Sequence, residues 1–74
     1  MAKGMTLVAR VTKNSESDLA LLRRTPAEIG PVLDLQLWAR RPGGGYMICG
    51  TVSAKPEVWA LIMPALAQAV RESE

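Results

Sequence analysis

The third predicted strand carries three side chains that could bind a ligand. Gln36, Trp38 and Arg40 are spaced two residues apart, so an extended strand would point all three to the same side. Aromatic rings stack on bases and guanidinium groups pair with phosphates, and single-stranded nucleic acid uses both on sheet surfaces. Trp38 could equally fill a subunit interface or lie under a loop, and the sequence leaves those alternatives open.

Basic residues that could contact phosphates are concentrated in the first two-thirds of the chain. Through Lys55 the sequence has eight basic and four acidic residues, a net charge of +4, and the remainder carries −2. A basic surface suits a polyanion, although an ordinary mixed surface explains the same charges about as well. The predicted nucleic-acid-binding residues are Arg10, Lys13, Arg23, Arg24, Gln36, Trp38, Arg40, Arg41 and Lys55.

Groups that could support catalysis or bind a metal are scarce. The chain has no histidine, the usual general base near neutral pH. Cys49 is the only cysteine, so it cannot complete a zinc site, and we expect it to be a small buried hydrophobe. Gly43-Gly-Gly is not followed by the Lys-Ser or Lys-Thr of a phosphate-binding loop. These features predict a binding module with no cofactor and no metal, and not an enzyme.

The candidate side chains must be positioned by strands, and the sequence predicts four of them. The predicted strands cover residues 6–13, 19–25, 32–41 and 46–53. The first and third alternate between apolar and polar positions, which is typical of half-buried strands. Leu7, Ala9 and Val11 should share one face of the first strand. The glycines after Pro42 predict a hairpin turn. Beyond it, Tyr46 alternates with Ile48, Gly50 and Val52, which favours a core position for Tyr46 over a second stacking surface.

Residues 56–72 are predicted to form a helix. Pro56 suits the first helical position, Glu57 adds the negative charge that a helix N-terminus favours, and Pro64 should bend the helix. Apolar residues cover most of its circumference, so we expect one side to lie on the sheet and the other to meet a second copy of the chain. The predicted dimer-interface residues are Val58, Trp59, Leu61, Ile62, Leu66 and Val70.

The length of 74 residues predicts a single domain that buries little surface. Such domains are usually stabilised by disulfides, a metal or oligomerisation, and here only oligomerisation is open. The longest apolar stretch, 58–70, is too short to span a bilayer, so no membrane association is expected. A lone cysteine and no signal peptide predict a reducing, cytoplasmic location, nucleoid-associated if the source is bacterial.

Four short motifs occur in order between residues 32 and 70. They are Val32-Leu-Asp-Leu-Gln-Leu-Trp-Ala-Arg, Pro42-Gly-Gly-Gly, Gly50-Thr-Val-Ser and Pro56-Glu-Val-Trp-Ala-Leu. This series resembles the single-strand-binding domain of the positive-cofactor-four family of transcriptional coactivators. The last motif is the most specific, since it is similar to that family's Pro-Glu-Gln-Trp-x-x-Leu helix start. Gln36 departs from the arginine usual in the family, and the lysine-rich segment before the last strand is absent.

The resemblance implies an α+β fold, with a four-stranded antiparallel curved sheet followed by a C-terminal helix, dimerising through the helix. It also implies binding of single-stranded or melted DNA on the sheet. The sequence therefore predicts a homodimeric, coactivator-like protein that binds single-stranded DNA or RNA with little sequence preference, in transcription, replication or recombination. The alternative is a protein–protein interaction module or small regulatory subunit that docks a larger partner through its apolar helix and Trp38.

Overall fold

The computed structural model describes residues 4–74, so Lys3, one of the eight basic residues counted before the helix, lies outside it. The elements are β1 (Met5–Asn14), β2 (Ser17–Arg24), β3 (Val32–Arg40), β4 (Tyr46–Ala54) and α1 (Pro56–Ser73). The strands form one open, curved antiparallel sheet in the order β1-β2-β3-β4. The predicted α+β class, with four antiparallel strands and a C-terminal helix, is confirmed.

Short connections between the strands set this topology. In the β1–β2 turn, the Asn14 side-chain oxygen accepts hydrogen bonds from the Glu16 backbone N–H at 2.9 Å and the Ser17 hydroxyl at 3.0 Å, a common turn device for asparagine. In the β3–β4 turn, Gly44 and Gly45 have φ values of 97° and 78°, which other residues rarely adopt. The predicted glycine hairpin is therefore formed.

Register divides the sheet into two faces. The apolar face comprises Thr6, Ala9, Val11, Ser17, Leu19, Leu21, Arg23, Leu33, Leu35, Leu37, Ala39, Met47, Gly50, Val52 and Ala54. The polar face comprises Met5, Leu7, Arg10, Thr12, Asp18, Ala20, Leu22, Arg24, Val32, Asp34, Gln36, Trp38, Arg40, Tyr46, Ile48, Thr51 and Ser53. The predicted alternation along β3 holds, because the leucines and Trp38 point to opposite faces.

At two register irregularities, side chains point to the face of the sheet opposite to the one that strict alternation predicts. In β1, Leu7 pairs with Leu22 and therefore faces the polar side, while Ala9 pairs with Leu21 on the apolar side. The prediction that Leu7, Ala9 and Val11 share a face is therefore wrong. An inserted residue in one strand shifts every side chain beyond it to the other face.

The irregularity in β4 centres on Cys49. Trp38 pairs with Ile48 while Leu37 pairs with Gly50, so Cys49 is the extra residue of a bulge. Tyr46 and Ile48 therefore face the polar side, and Gly50 and Val52 do not. A core position for Tyr46 is wrong, since the residue is 41% exposed. The expectation of a buried Cys49 is also wrong, because its thiol is exposed in the single chain.

The helix α1 stands away from the sheet. None of its residues is buried, and it makes few contacts outside itself, mainly with β3. The Trp59 indole N–H donates to the Leu33 carbonyl at 3.0 Å, which anchors the first turns. The expectation that one helix side lies on the sheet is wrong in the single chain, where only Lys55 separates α1 from the end of β4. Pro64 lies within this continuous helix.

Buried apolar side chains are few in the described part of the chain. They are Ala20, Leu22 and Val32, which all belong to the polar face. The leucines of the apolar face are only half-buried. The molecule measures 40 × 39 × 16 Å, so it is one thin layer of structure. Domains normally bury an apolar face between two layers, and the single chain supplies only one.

Candidate nucleic-acid interface

A charged cluster on the polar face is centred on Asp18. Its carboxylate is almost fully buried, with 3% of the residue exposed. One carboxylate oxygen accepts from Arg10 Nε at 2.8 Å, and the other accepts from Arg40 Nη2 at 2.8 Å. One negative charge therefore holds two positive ones, and this group of three carries a net charge of +1.

Two aromatic rings complete this group, which we call the aromatic–arginine cluster: Arg10, Asp18, Trp38, Arg40 and Tyr46. The Arg10 guanidinium carbon lies 5.0 Å from the Trp38 ring centroid and 4.2 Å from that of Tyr46. The two ring centroids are 6.0 Å apart, with planes tilted by 52°. These are cation–π distances. Arg10 thus covers one surface of each ring.

Gln36 fixes the orientation of Trp38. Its side-chain oxygen accepts the indole N–H of Trp38 at 2.7 Å, which is a short bond for a nitrogen donor. Gln36 itself is only 7% exposed, so it offers a ligand little surface. The structure therefore places this predicted binding residue beneath the cluster, where it supports the ring.

A second ion pair lies further along the same face. Asp34 accepts from Arg24 Nε at 2.8 Å and from Arg24 Nη2 at 3.3 Å. Asp34 is 2% exposed. Hydrogen bonding to Arg24 lowers the pKa of this carboxyl, with a smaller contribution from Ser53, its partner on β4. The same hydrogen bond raises the pKa of Arg24, so both groups are charged at neutral pH.

Arg40 ties the cluster to the β1–β2 turn. Its Nη1 donates to the backbone carbonyls of Ser15 at 2.6 Å and Asn14 at 3.2 Å. The pKa of Arg40 is raised, first by the nearby Tyr46 side chain and also by the charge of Asp18. A cleft of about 490 Å³ follows this junction, lined by Asn14, Ser15, Glu16, Ser17, Ala39, Arg40, Arg41 and Pro42.

The structure brings five of the nine predicted binding residues onto the polar face: Arg10, Arg24, Gln36, Trp38 and Arg40. Arg41 lies beside it, in the turn that follows β3. Lys13 falls in the irregular end of β1, and Lys55 precedes α1 at the far end of β4. Arg23 pairs with Thr6 and Leu33 and belongs to the apolar face, so it is not part of this site.

Two residues of the site, Asp18 and Asp34, were not predicted, and Tyr46 was considered as a second stacking surface but placed in the core. Asp34 alternates with Gln36 and Trp38 in the sequence, so the sequence indicates that it shares their face of the sheet. Its ion pair with Arg24 could not be predicted from that alternation. Asp18 lies at the end of a polar turn segment, and nothing in that segment indicates that its carboxylate pairs with Arg10 and Arg40. Tyr46 was assigned to the core because the bulge at Cys49 leaves no clear mark in the sequence.

Most of the predicted dimer-interface residues are open to solvent in the single chain. Val58, Ile62, Leu66 and Val70 are each about half exposed, and Leu61 is 82% exposed. Trp59 differs, since it is half-buried and donates to Leu33 of the same chain. Its indole therefore already has a partner within the chain.

No group of three or more potential metal ligands occurs within residues 4–74. Over the same residues, no helix is both long and apolar enough to cross a membrane. Comparison of the chain with protein-family models, curated proteins and solved structures finds no match.

Proposed function

We propose that the chain is a homodimeric module that binds single-stranded nucleic acid on the polar face of its sheet, with little sequence preference. One observation carries this proposal: Trp38 and Tyr46 lie beside Arg10 and Arg40 on one face of an open, curved sheet. Aromatic and arginine side chains combined on a sheet are the usual means of binding single strands. The resemblance to the positive-cofactor-four family supports the same function, in transcription, replication or recombination.

The preference for single strands follows from access to base faces. A duplex keeps these faces inside its stack, whereas an unpaired base can lie on an aromatic ring. Any base offers such a face, which explains the expected lack of sequence preference. The side-chain oxygen of Gln36 is occupied by Trp38, so it is not free to accept from a base.

Internal ion pairs limit the electrostatic contribution. Three arginines on the polar face are opposed by Asp18 and Asp34, which leaves a net charge of +1 among these five groups. Arg40 and Asp34 are six residues apart on β3, which corresponds to about 20 Å along a strand. A bound strand would therefore span several nucleotides between the two arginine groups, with stacking as a major part of its affinity.

Self-association is supported by the surface of the single chain. Its accessible area is 5559 Å², whereas a folded monomer of this mass would have about 4,450 Å². Its radius of gyration is 14.1 Å, against about 11 Å for a compact domain of this length. The excess of about 1,100 Å² exceeds the roughly 800 Å² that each partner buries in a standard interface. Association through α1 would cover the exposed residues from Val58 to Val70.

The rival function, docking of a different protein through α1 and Trp38, needs those two features on one surface. In the structure, α1 is anchored at Leu33, and Trp38 is five residues away on β3, about 17 Å along the strand. The geometry therefore favours two separate surfaces, the polar face for nucleic acid and α1 for association.

Fluorescence anisotropy with labelled single-stranded and duplex oligonucleotides tests the proposal directly. We expect tighter binding of the single strand and a fall of affinity with salt, as phosphate contacts require. Arg40→Ala should weaken binding and flatten the slope of log affinity against log salt by about one unit. Arg23→Ala is the matched control, because Arg23 lies on the opposite face and its loss should leave the slope unchanged. Absence of binding to any oligonucleotide at low salt would exclude this function.

A further inference from the structure

We propose that Asp18 and Asp34 are positioning residues that hold Arg10, Arg24 and Arg40 in the orientations that contact phosphates; this inference rests on the proposed function. The two carboxylates lie beneath the surface, with side chains 5% and 3% exposed, while the three arginine side chains are each about one-third exposed. Asp18 therefore binds two guanidinium groups and Asp34 binds one, while part of each arginine side chain stays exposed to solvent.

The hydrogen-bond pattern leaves donors free on Arg10 and Arg24, whereas Arg40 already donates through both terminal nitrogens and keeps fewer. Asp18 accepts a hydrogen bond from Nε of Arg10 only. Within the described residues, neither terminal nitrogen of Arg10 makes a hydrogen bond to protein. Asp34 takes Nε and Nη2 of Arg24, which leaves Nη1. A guanidinium has five N–H donors in a rigid fork, so one fork can bind a carboxylate on one edge and a phosphate on another.

Burial of these aspartates is hard to explain by stability alone. Desolvating a carboxylate is costly, and a buried ion pair often stabilises a protein no better than apolar residues of the same size. Their neighbours on the same face include the buried apolar residues Ala20 and Leu22, so an apolar side chain would suit these positions. Holding an arginine in place gives the aspartates a function, because an ordered side chain loses less rotamer freedom when it meets its ligand.

A positioning role and a purely electrostatic role predict opposite changes in affinity for nucleic acid when an aspartate is neutralised. A carboxylate that merely neutralises the polar face would repel phosphates, so its removal would strengthen binding. A carboxylate that positions arginines would weaken binding when it is removed, although the protein becomes more positive. The sign of the change therefore separates the two roles.

The test is anisotropy with a labelled oligothymidylate about 16 nucleotides long, within the range of site sizes for such proteins. We expect Asp18→Asn to weaken binding about fivefold or more and to flatten the salt slope by about one unit, since ordered donors to phosphate are lost. Glu28→Gln is the matched control, because Glu28 is exposed in the β2–β3 loop and makes no salt bridge within the described residues. It adds the same charge and should leave binding unchanged or slightly tighter.

A double-mutant cycle separates positioning from loss of folding. In an Arg10→Ala, Arg40→Ala background, Asp18→Asn should no longer weaken binding and should behave like Glu28→Gln. Asp34→Asn, with Arg24→Ala as its background, gives an independent second case. Tighter binding by Asp18→Asn, or equal weakening in both backgrounds, would overturn the positioning role while the proposed function stands. Failure of the unmodified protein to bind the oligonucleotide would overturn both.

Discussion

Trp38 is the residue whose loss should reduce base stacking most directly. Its ring is fixed by Gln36 on one side and by Arg10 and Tyr46 on another, so it is ordered before a ligand arrives. Trp38→Ala should weaken single-strand binding by about 1–3 kcal/mol, the scale of one stacking contact. Trp38→Phe is the matched control, since it keeps a ring that can stack but loses the hydrogen bond to Gln36.

Tryptophan fluorescence gives a direct readout of this contact. Emission should be quenched as a single-stranded oligonucleotide is added. Trp59→Phe would remove the background of the second tryptophan, whose indole N–H donates a hydrogen bond to the Leu33 carbonyl in the same chain. Unchanged affinity in Trp38→Ala, or quenching that arises from Trp59 alone, would contradict the stacking role.

Asp34 should make the stability of the fold depend on acid pH. Hydrogen bonding to Arg24 lowers its pKa in the folded state, whereas an unfolded aspartate has a pKa of about 3.9. A lowered folded pKa means that the ion pair stabilises the fold fully above the unfolded pKa, and that this contribution is lost as pH falls through the folded pKa. Thermal unfolding followed by circular dichroism between neutral pH and pH of about 2 would measure the loss.

The variant Asp34→Asn isolates this contribution. At neutral pH it should reduce the free energy of unfolding by about 1.5–3 kcal/mol, the scale of a hydrogen bond to a charged group. At low pH the variant and the unmodified protein should converge. Glu28→Gln serves again as the control. If Asp34→Asn and the unmodified protein showed the same dependence of stability on pH, the stabilising role of the Asp34 carboxylate would be refuted.

At the scale of elements, the sequence was informative where local rules dominate. The glycine hairpin, the proline at the first helical position and the alternation along β3 each depend on neighbours in the chain, and the structure confirms each one. The bulges near Val8 and at Cys49 depend on how strands meet across the sheet, so strict alternation misassigned Leu7 and Tyr46. Ion pairs such as Arg24–Asp34 likewise join residues that only the register brings together.

The exposed apolar surface of α1 predicts that a charge introduced there will disrupt association between chains. Leu66 lies on α1, where it is 52% exposed and contributes to the apolar surface left uncovered by the sheet. Leu66→Glu should give single chains or insoluble protein, because a charge cannot be buried in an apolar interface without a partner. Gln68→Glu, two residues further along and therefore on another side of the helix, is the matched control and should leave the assembly intact. Light scattering would report the mass, and a single-chain mass for the unmodified protein at micromolar concentration would contradict the interface.

At the scale of the whole molecule, the single chain is one layer only 16 Å thick, with three buried apolar residues among those described. A layer this thin cannot offset the conformational entropy of 74 residues by its own burial. Folding should therefore be coupled to association, as in obligate dimers that have no stable folded monomer. The polar face would then be formed only in the assembled protein, and nucleic-acid binding would weaken upon dilution together with the fold.

This coupling predicts a melting temperature that rises with protein concentration. Each tenfold increase in concentration adds about 1.4 kcal/mol to the stability of a dimer. For two chains of this length unfolding together, that corresponds to about 3–6 °C in Tm. Circular dichroism melts across two decades of concentration would measure the shift, and a single-stranded oligonucleotide should add a further increase at each concentration because it binds only the folded protein. A soluble Leu66→Glu variant should lose the concentration dependence together with the fold. A constant Tm for the unmodified protein, combined with a single-chain mass, would show instead that the thin layer is stable on its own.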